Sequence, residues 1–436
     1  MKKIQFFWND LKSSFWFIPV LLIIVSIPVA IGLIYWDGST DMSQDGLRRF
    51  FFVSSADSAR IILSTISGAM IGVAGTVFSV TLVALTLASS QFGPRLIKNF
   101  MSVRLNQVVL GSYVSTYLYC LIVLNSIKDI NDYTFIPSLS ILLAILLAVV
   151  NIILLIVFIH RIAISIQADE VISEIHLFIS LQVKILFPDN LGEELDNATD
   201  VEIDNIKSKR RHIISIPSPK SGYLQYIDIE TLLGMMTKNS SLLELYVKPG
   251  DYLVKDLEIG KVFQYSMENE NMLSKVRKQF ILGKTRTSSQ DFEFSIHQMV
   301  EIAARALSTG VNDPFTAIAC IDNLTATLSY LTQIEFPSKY RFDKEKNLRV
   351  ISFPLSFEGV LGAAFNQIRQ YSAGSAAVII RLMEALITIN QFNKKEGNKA
   401  AIINHARMVL NIGKESIIEE NDFKDLLKRS KKLLSE

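Results

Sequence analysis

Cysteine is almost missing from this sequence: Cys120 and Cys320 are the only two among 436 residues. Cys120 lies in an apolar run and Cys320 in a helical stretch far downstream. That separation argues against a disulfide framework and for two buried, reduced thiols. Net charge is nearly missing too. Forty-four Lys and Arg stand against 42 Asp and Glu, a balance of +2, which gives no strong attraction for nucleic acid or acidic surfaces. Enzyme signatures are also lacking. There is no P-loop, no G-x-S-x-G elbow, no H-E-x-x-H and no dinucleotide fingerprint. The paired Glu419 and Glu420 sit in a charged tail segment and read as solvated surface. The expectation is a protein that is not an enzyme, carries no cofactor and binds no nucleic acid.

What the sequence has in abundance is hydrophobic residues, which make up half of it. They concentrate near the start, in four stretches long enough to cross a hydrocarbon core of roughly 30 Å, which needs about 20 apolar residues. These run from about Ser13 to Trp36, Ile61 to Ser90, Leu105 to Ser126 and Phe135 to Ile159. The first is no cleavable signal peptide. It is too long, contains Pro19 and Pro28, and ends in Tyr35-Trp36 rather than a small-residue cleavage site. Phe15-Trp16 and Tyr35-Trp36 suit the two membrane–water interfaces. With the N-terminus inside, the cytoplasmic flanks hold seven basic residues: Lys2, Lys3, Lys12, Arg95, Lys98, Arg104 and Arg161. The outer loops hold four, Arg48, Arg49, Arg60 and Lys128. The bias places both termini, and everything after about His160, in the cytoplasm.

The second stretch is unusual. Between Arg60 and Arg95 it carries no charge for 34 residues, about 50 Å of helix at 1.5 Å per residue. A helix of that length must tilt or project beyond the bilayer. Ser64, Gly68, Gly72, Gly75, Ser79, Thr86 and Ser90 recur at steps of three, four or seven and fall on one stripe, with Ile71, Val77, Leu82 and Leu85 assigned to other faces. Small residues let helices approach closely, as in Gly68-x-x-x-Gly72. Alternatively, a stripe of Gly, Ser and Thr lines a water-filled path in an oligomer. Gln91, Arg95 and Lys98 would stand at its inner mouth. The partners implied are the lipid bilayer, further copies of the chain, and an ion or small ligand.

Beyond the spans the pattern changes. The segment from His160 to Phe187 continues the fourth span as a helix, and Pro188 ends it before an acidic stretch at 189–205. From Ile213 to Val262 the runs IISIP, GYLQYID and LLELYVKPGDYLV read as short strands broken by Pro and Gly. SGY (221–223) paired with VKPGDYLV (247–254), with its turn at Pro249-Gly250-Asp251, resembles the hairpin of lipoyl-like β-sandwiches. No Asp-Lys turn offers a modifiable lysine, so the hairpin is structural. From about Glu268 the pattern is helical again, with one strand at LRVISFP (348–354). The organisation expected is a transmembrane domain at 1–165, a linking helix and linker at 166–212, a small β-rich subdomain at 213–265 and a mainly helical subdomain at 266–436.

One cytoplasmic motif could carry chemistry: FSIHQMVEIAARALSTGVNDPFTAIACIDNL, residues 294–324. His297, Glu301 and Arg305 fall at i, i+4 and i+8 and share a helix face. A His and a carboxylate alone lack the other ligands of a zinc site, and Glu301 with Arg305 is more simply an ion pair. In GVNDP, Gly310 follows a helix end, Asp313 caps the next helix and Pro314 takes its first position. With Arg286, Asp291 and Asn312, these residues form the most polar part of the soluble half. A ligand or subunit contact, if one exists, belongs there.

Three runs, FSVTLVALTLASSQFGPRLIKNF (78–100), LGSYVSTYLYCLIVL (110–124) and EIAARALSTGVNDPFTA (301–317), resemble an uncharacterised bacterial family of predicted membrane proteins, domain of unknown function 2254. The resemblance extends over nearly the whole chain and implies a bacterial inner-membrane protein with an N-terminal membrane domain and a C-terminal soluble one. It supplies no activity and no catalytic residues. The fold class expected is therefore an α-helical membrane domain of four spans plus a mixed α/β cytoplasmic domain, with a small β-hairpin or sandwich element and a helical C-terminal part. The function expected is an oligomeric channel-like or transport protein, with a membrane-anchored sensor or scaffold as the alternative.

Overall fold

The computed structural model describes residues 14–39, 55–93, 104–130, 133–165, 167–186, 200–265, 270–353 and 355–434. The chain divides into two compact units, one ending at Glu170 and one beginning at Val171. Each has its own core.

The first unit holds four helices that are long and apolar enough to cross a membrane: α1 (Phe17–Ser39), α2 (Ala56–Phe92), α3 (Arg104–Ser126) and α4 (Ser138–Ser165). A two-stranded antiparallel ribbon, β1 (Lys128–Ile130) with β2 (Tyr133–Phe135), joins α3 to α4. At 37 residues, α2 is about 55 Å long. It starts where the Ser55 hydroxyl accepts the Ser58 amide. It stops at Gly93, whose φ of 110° lies in the region that glycine alone enters freely and whose N–H bonds Ser89 O. The N-terminus of α4 is capped across the fold. Asp37, near the end of α1, accepts from Leu139 N and Ser140 N at 3.0 Å each and from Ser140 Oγ at 2.7 Å.

Two apolar clusters fill the bundle, one around Leu63, Tyr119, Cys120 and Ile141, the other around Met70, Val77, Tyr113 and Phe158. Several polar groups inside it are paired, which matters where no water is at hand. Tyr119 Oη donates to Ser140 O, Tyr113 Oη donates to Asn151 O, and Asn151 Nδ2 donates to Thr116 Oγ1. At Gly111, α3 presses so close to α1 that an added Cβ would stand 2.8 Å from Pro19 Cα.

The expected continuation of the fourth span as one helix is corrected. α4 ends at Ser165, and α5 (Ala168–Leu186) begins separately. After α6 (Asp200–Ser208), two sheets form. Strands β3 (His212–Pro217), β5 (Leu242–Leu245), β7 (Glu258–Gln264), β9 (Tyr340–Phe342) and β10 (Leu348–Ile351) make a five-stranded sheet in the order β3-β7-β5-β10-β9. Only β5 and β10 run parallel. Strands β4 (Gly222–Ile227), β6 (Tyr252–Leu253) and β8 (Phe280–Gly283) make the second, in the order β6-β4-β8.

The pairing of SGY with DYLV is present, with Gly222 opposite Leu253 and Tyr223 opposite Tyr252. The hairpin itself is not. The strand before the Pro-Gly-Asp turn, β5, belongs to the other sheet, so the turn carries the chain between sheets. A helix, α7 (Ile229–Lys238), also interrupts the run that read as strands. Asp228 caps it through the Thr231 amide, and Leu232 and Met236 are buried among strand residues such as Ile216, Leu224 and Val262. Its i, i+4 apolar spacing is a helical signal hidden between two strands.

After α8 (Glu270–Arg277), the rest is a helical layer: α9 (Phe292–Ala306), α10 (Pro314–Leu331), α11 (Phe357–Tyr371), α12 (Ala376–Phe392), α13 (Glu396–Ser416) and α14 (Glu420–Leu434). α9 packs on α10 and α11, and α13 on α11 and α12. Cys320 is fully buried within α10, where desolvation pushes its thiol well above the ordinary value. The two cysteines are free thiols.

Candidate functional site

On α2 the residues that face the bundle are Ala59, Leu63, Ser67, Met70, Ala74, Val77, Thr81 and Ala88. The stripe singled out by spacing, Ser64, Gly68, Gly72, Gly75, Ser79, Thr86 and Ser90, lies wholly on the outer face. Where a Cβ would stand on Gly68, Gly72 and Gly75, nothing comes within 4 Å. At these three glycines the face therefore packs against none of the described residues. The stripe's hydroxyls are turned back on the helix: Ser64 Oγ donates to Ile61 O, Ser79 Oγ to Gly75 O at 2.9 Å and Thr86 Oγ1 to Leu82 O at 2.9 Å. These hydroxyls are thus satisfied along the helix itself.

Leu82 corrects the sequence reading. It follows Ser64 by eighteen residues, about five full turns, so it shares the stripe's side and is exposed, as is Ile71 at the edge. Gln91 is exposed at the end of α2. Arg95 and Lys98 lie outside the described residues.

In the second unit, α9 separates the predicted polar residues into two groups. At its N-terminus the Asp291 carboxylate, 3% exposed, takes the Arg286 guanidinium in a two-point fork, Nε to Oδ2 at 2.8 Å and Nη2 to Oδ1 at 2.9 Å. Asp291 also caps α9 through the Phe294 amide at 3.0 Å. Burial pushes its carboxyl above the ordinary value, against the pull of Arg286 and of that amide. His297 Nδ1 stands 3.5 Å from Arg286 Nη1.

The Pro-Gly-Asp turn docks on this pair. A Cβ on Gly250, whose φ is 101°, would fall 2.3 Å from Asp291 Oδ2. Lys248, just before the turn, is tied in as well, with its Nζ 2.7 Å from Glu293 Oε1 and its N–H donating to Asp251 Oδ2 within the turn. Two motifs that the sequence separates by some forty residues are thus one structure.

Further along α9, Glu301 and Arg305 form an i, i+4 ion pair at 3.8 Å. Asn312 and Asp313 lie beyond the far end, about 20 Å of helix away from Asp291. Asp313 caps α10 through Phe315 N and Thr316 N, Pro314 follows it at the first turn, and the Thr316 hydroxyl holds its carboxyl below the usual range. The left-handed residue of the turn is Asn312, with φ of 49°, not Gly310. The seven residues are therefore not one site.

What sequence reading missed is an open cleft of about 570 Å³ between α9, α11 and α13. Glu293 and His297, one helical turn apart on α9, form one wall; Glu358 and Asn366 on α11, with Asn404 and His405 on α13, form the others. His405 is 5% exposed, and its Nδ1 has no hydrogen-bond partner among the described residues. Burial, helped by the Arg369 guanidinium, lowers its pKa from 6.5 to about 4. No three His, Cys, Asp or Glu side chains among the described residues converge as a metal site. Nothing in the local pattern of NHARM (404–408) marks His405 out, because its neighbours in the cleft come from helices far off in the chain.

The lowered pKa has a measurable consequence. The unfolded chain takes up a proton near pH 6.5, whereas the folded one does not until about pH 4. Stability is therefore full above pH 6.5 and declines as the pH falls through that window, by about 3 kcal/mol at most. Urea denaturation of the full-length protein in detergent at stepped pH should show this slope, and His405→Asn should flatten it.

The sequence comparisons fit this architecture. The family described as "Predicted membrane protein (DUF2254)" matches residues 12–388, a stretch that takes in the four spans, both sheets and the α9 region. This chain belongs to that family. Among its relatives, the uncharacterized protein Mb1321c of Mycobacterium bovis is 29% identical over 382 residues, covering 86% of this chain and 72% of the relative. The uncharacterized protein Rv1290c of Mycobacterium tuberculosis matches with the same identity and coverage. No solved structure matches. The chain is thus a DUF2254 membrane protein with four apolar helices followed by a mixed α/β region.

Proposed function

We propose that this DUF2254 protein is a non-enzymatic homo-oligomer of the bacterial inner membrane with both termini in the cytoplasm. In this reading α2 of each copy faces the shared axis, where it lines or seals a channel-like path, and the second unit is its cytoplasmic regulatory part. The observation that carries the reading is the outer face of α2. Seven small residues lie on the exposed side of a 37-residue span, and at three of them, Gly68, Gly72 and Gly75, no described residue comes within 4 Å of where a Cβ would stand. Lipid does not favour Gly over Leu, whereas a second helix does, because small residues let backbones approach.

Two experiments on the full-length protein in liposomes test this. Gly75→Cys should give disulfide-linked dimers under oxidation, while Val77→Cys, which faces the bundle core, should not. Discrete currents under voltage, pH or tension should change size with Gly75→Leu. Absence of both dimers and currents, from protein shown to be folded, would sink the assembly and the channel together.

The cleft of the second unit favours another reading, in which the spans only anchor and the cytoplasmic part is a sensor or scaffold. Dimers without currents would point there.

A further inference from the structure

Helix α5 is apolar on two sides. Val171, Ile172, Ile175, Ile179 and Val183 are buried. Gln182, on the same side, donates to Ser288 O and accepts from Ser295 Oγ at 2.6 Å, which ties that side to the start of α9. On the other side Leu177 is 61% exposed, Leu181 60% and Phe178 38%. A surface helix ordinarily carries one apolar stripe and a polar back. Here a second stripe stands open, and only the first meets a partner among the described residues.

The residues around the open stripe say what fits it. Glu174, Leu177, Leu181 and Lys184 are all exposed and follow one another at steps of three, four and three, so they form one line along the helix. That line is symmetric about position 179: the two leucines lie two residues either side of it, and the two charges five. Such a face is complementary to itself when two copies meet antiparallel across a two-fold axis. Leu177 of each copy then faces Leu181 of the other, and Glu174 faces Lys184 at both ends. A parallel pair would instead set Glu174 against Glu174 and Lys184 against Lys184, which is repulsive.

The bilayer surface is the other apolar phase at hand, and the charges disfavour it. Asp169, Glu170 and Glu174 stand on α5 against Lys184 alone, whereas helices that lie on membranes carry Lys and Arg on their polar face. The patch is small beside the roughly 1,600 Å² of a standard interface. It need not hold two free proteins, because α5 begins at Ala168, just after α4 ends at Ser165. Copies gathered through their spans carry their α5 helices at high effective concentration, which makes a small contact count.

We propose that α5 pairs antiparallel with α5 of a second copy through Leu177, Phe178 and Leu181, with a Glu174–Lys184 ion pair at each end. The pairing rests on the reading that the chain is a homo-oligomer, and it is a contact distinct from the one assigned to α2.

The test is cross-linking of full-length protein in liposomes with a short bis-maleimide. Cys120 and Cys320 are fully buried and stay silent. Leu177→Cys, close to the two-fold centre, should give dimers, and Lys432→Cys, exposed on α14, should not. Adding Glu174→Lys to Leu177→Cys should cut the yield about tenfold, because Lys then faces Lys at both ends. Adding Lys184→Glu as well should restore it. No dimers through Leu177→Cys, a yield indifferent to Glu174→Lys, or a loss that Lys184→Glu does not restore would each overturn the pairing. So would quenching of a fluorophore on Leu177→Cys by brominated lipid, which would put the face on the bilayer. Gly75→Cys in the same liposomes separates the two readings. Dimers through Gly75 without any through Leu177 would remove the α5 contact and leave α2 at an interface, and dimers through Leu177 alone would do the reverse.

Discussion

Replacing Asp291 by alanine should cost the protein about 3–5 kcal/mol of folding stability, the range found when one partner of a buried ion pair is removed. The carboxylate is 3% exposed and the Arg286 side chain 23%, so the guanidinium left behind could not recover its hydration in full. The cap on α9 would go as well, worth about 1 kcal/mol by itself. Asp291→Asn keeps a capping oxygen but loses the charge, and should fall between alanine and the native protein. Gly250 supplies a check on the cause. Gly250→Ala alone is destabilising, because its Cβ would stand 2.3 Å from Asp291 Oδ2 at a φ of 101°. Part of that cost should vanish once Asp291 is already alanine, so the double variant should be more stable than the two single losses added together. Urea midpoints of the four proteins, followed by circular dichroism, decide it. A loss under about 1 kcal/mol for Asp291→Ala would mean that water reaches Arg286 and that the pair holds nothing together.

Gly111→Val should do comparable damage in the membrane unit. The glycine sits where α3 crosses α1, and a Cβ there would stand 2.8 Å from Pro19 Cα and 2.9 Å from Leu22 Cδ1. The leucine can rotate away, but the proline backbone cannot, so the helices must separate. Overpacking of this kind costs about 1–3 kcal/mol, and for a contact between backbones the upper end is expected. Gly72→Val is the matched control: the same substitution in a neighbouring span, at a site with nothing within 4 Å. Thermal unfolding of both variants in detergent, read by loss of the monodisperse peak on size exclusion, should show a clear fall for Gly111→Val and none for Gly72→Val. In liposomes the order should reverse for cross-linking through α2 if, as proposed, the face that carries Gly72 meets partner copies. Equal melting of the two variants would remove the argument that Gly111 marks a close helix crossing.

The four spans were legible because crossing a bilayer is a property of one continuous stretch. Twenty apolar residues need no partner to be recognised, and their ends fell within a few residues of α1 to α4. Local capping was legible for the same reason: Asp313, Pro314 and the helix they open are adjacent in the chain. The strands were harder to place. β5 and β6 are separated by one short turn, yet each found its hydrogen-bonding partners elsewhere, in different sheets. A short apolar run does not record which strand will pair with it. α7 was missed because a single ten-residue helix between strands shows too few turns to declare its period.

The sequence by itself determined that this chain carries four apolar segments long enough to span a membrane, and that α2 carries a row of small residues. Each of these follows from spacing or composition along one segment. Only the tertiary structure decided which way that row faces, because α2 also carries a second stripe, Ala59 to Ala88, and apolar packing against α3 and α4 chose that one for the core. Only the tertiary structure brought Gly250 to Asp291 and set His405 beside Glu293 and Asn366. Those meetings depend on burial free energy summed over distant segments, a quantity that no local stretch of residues contains.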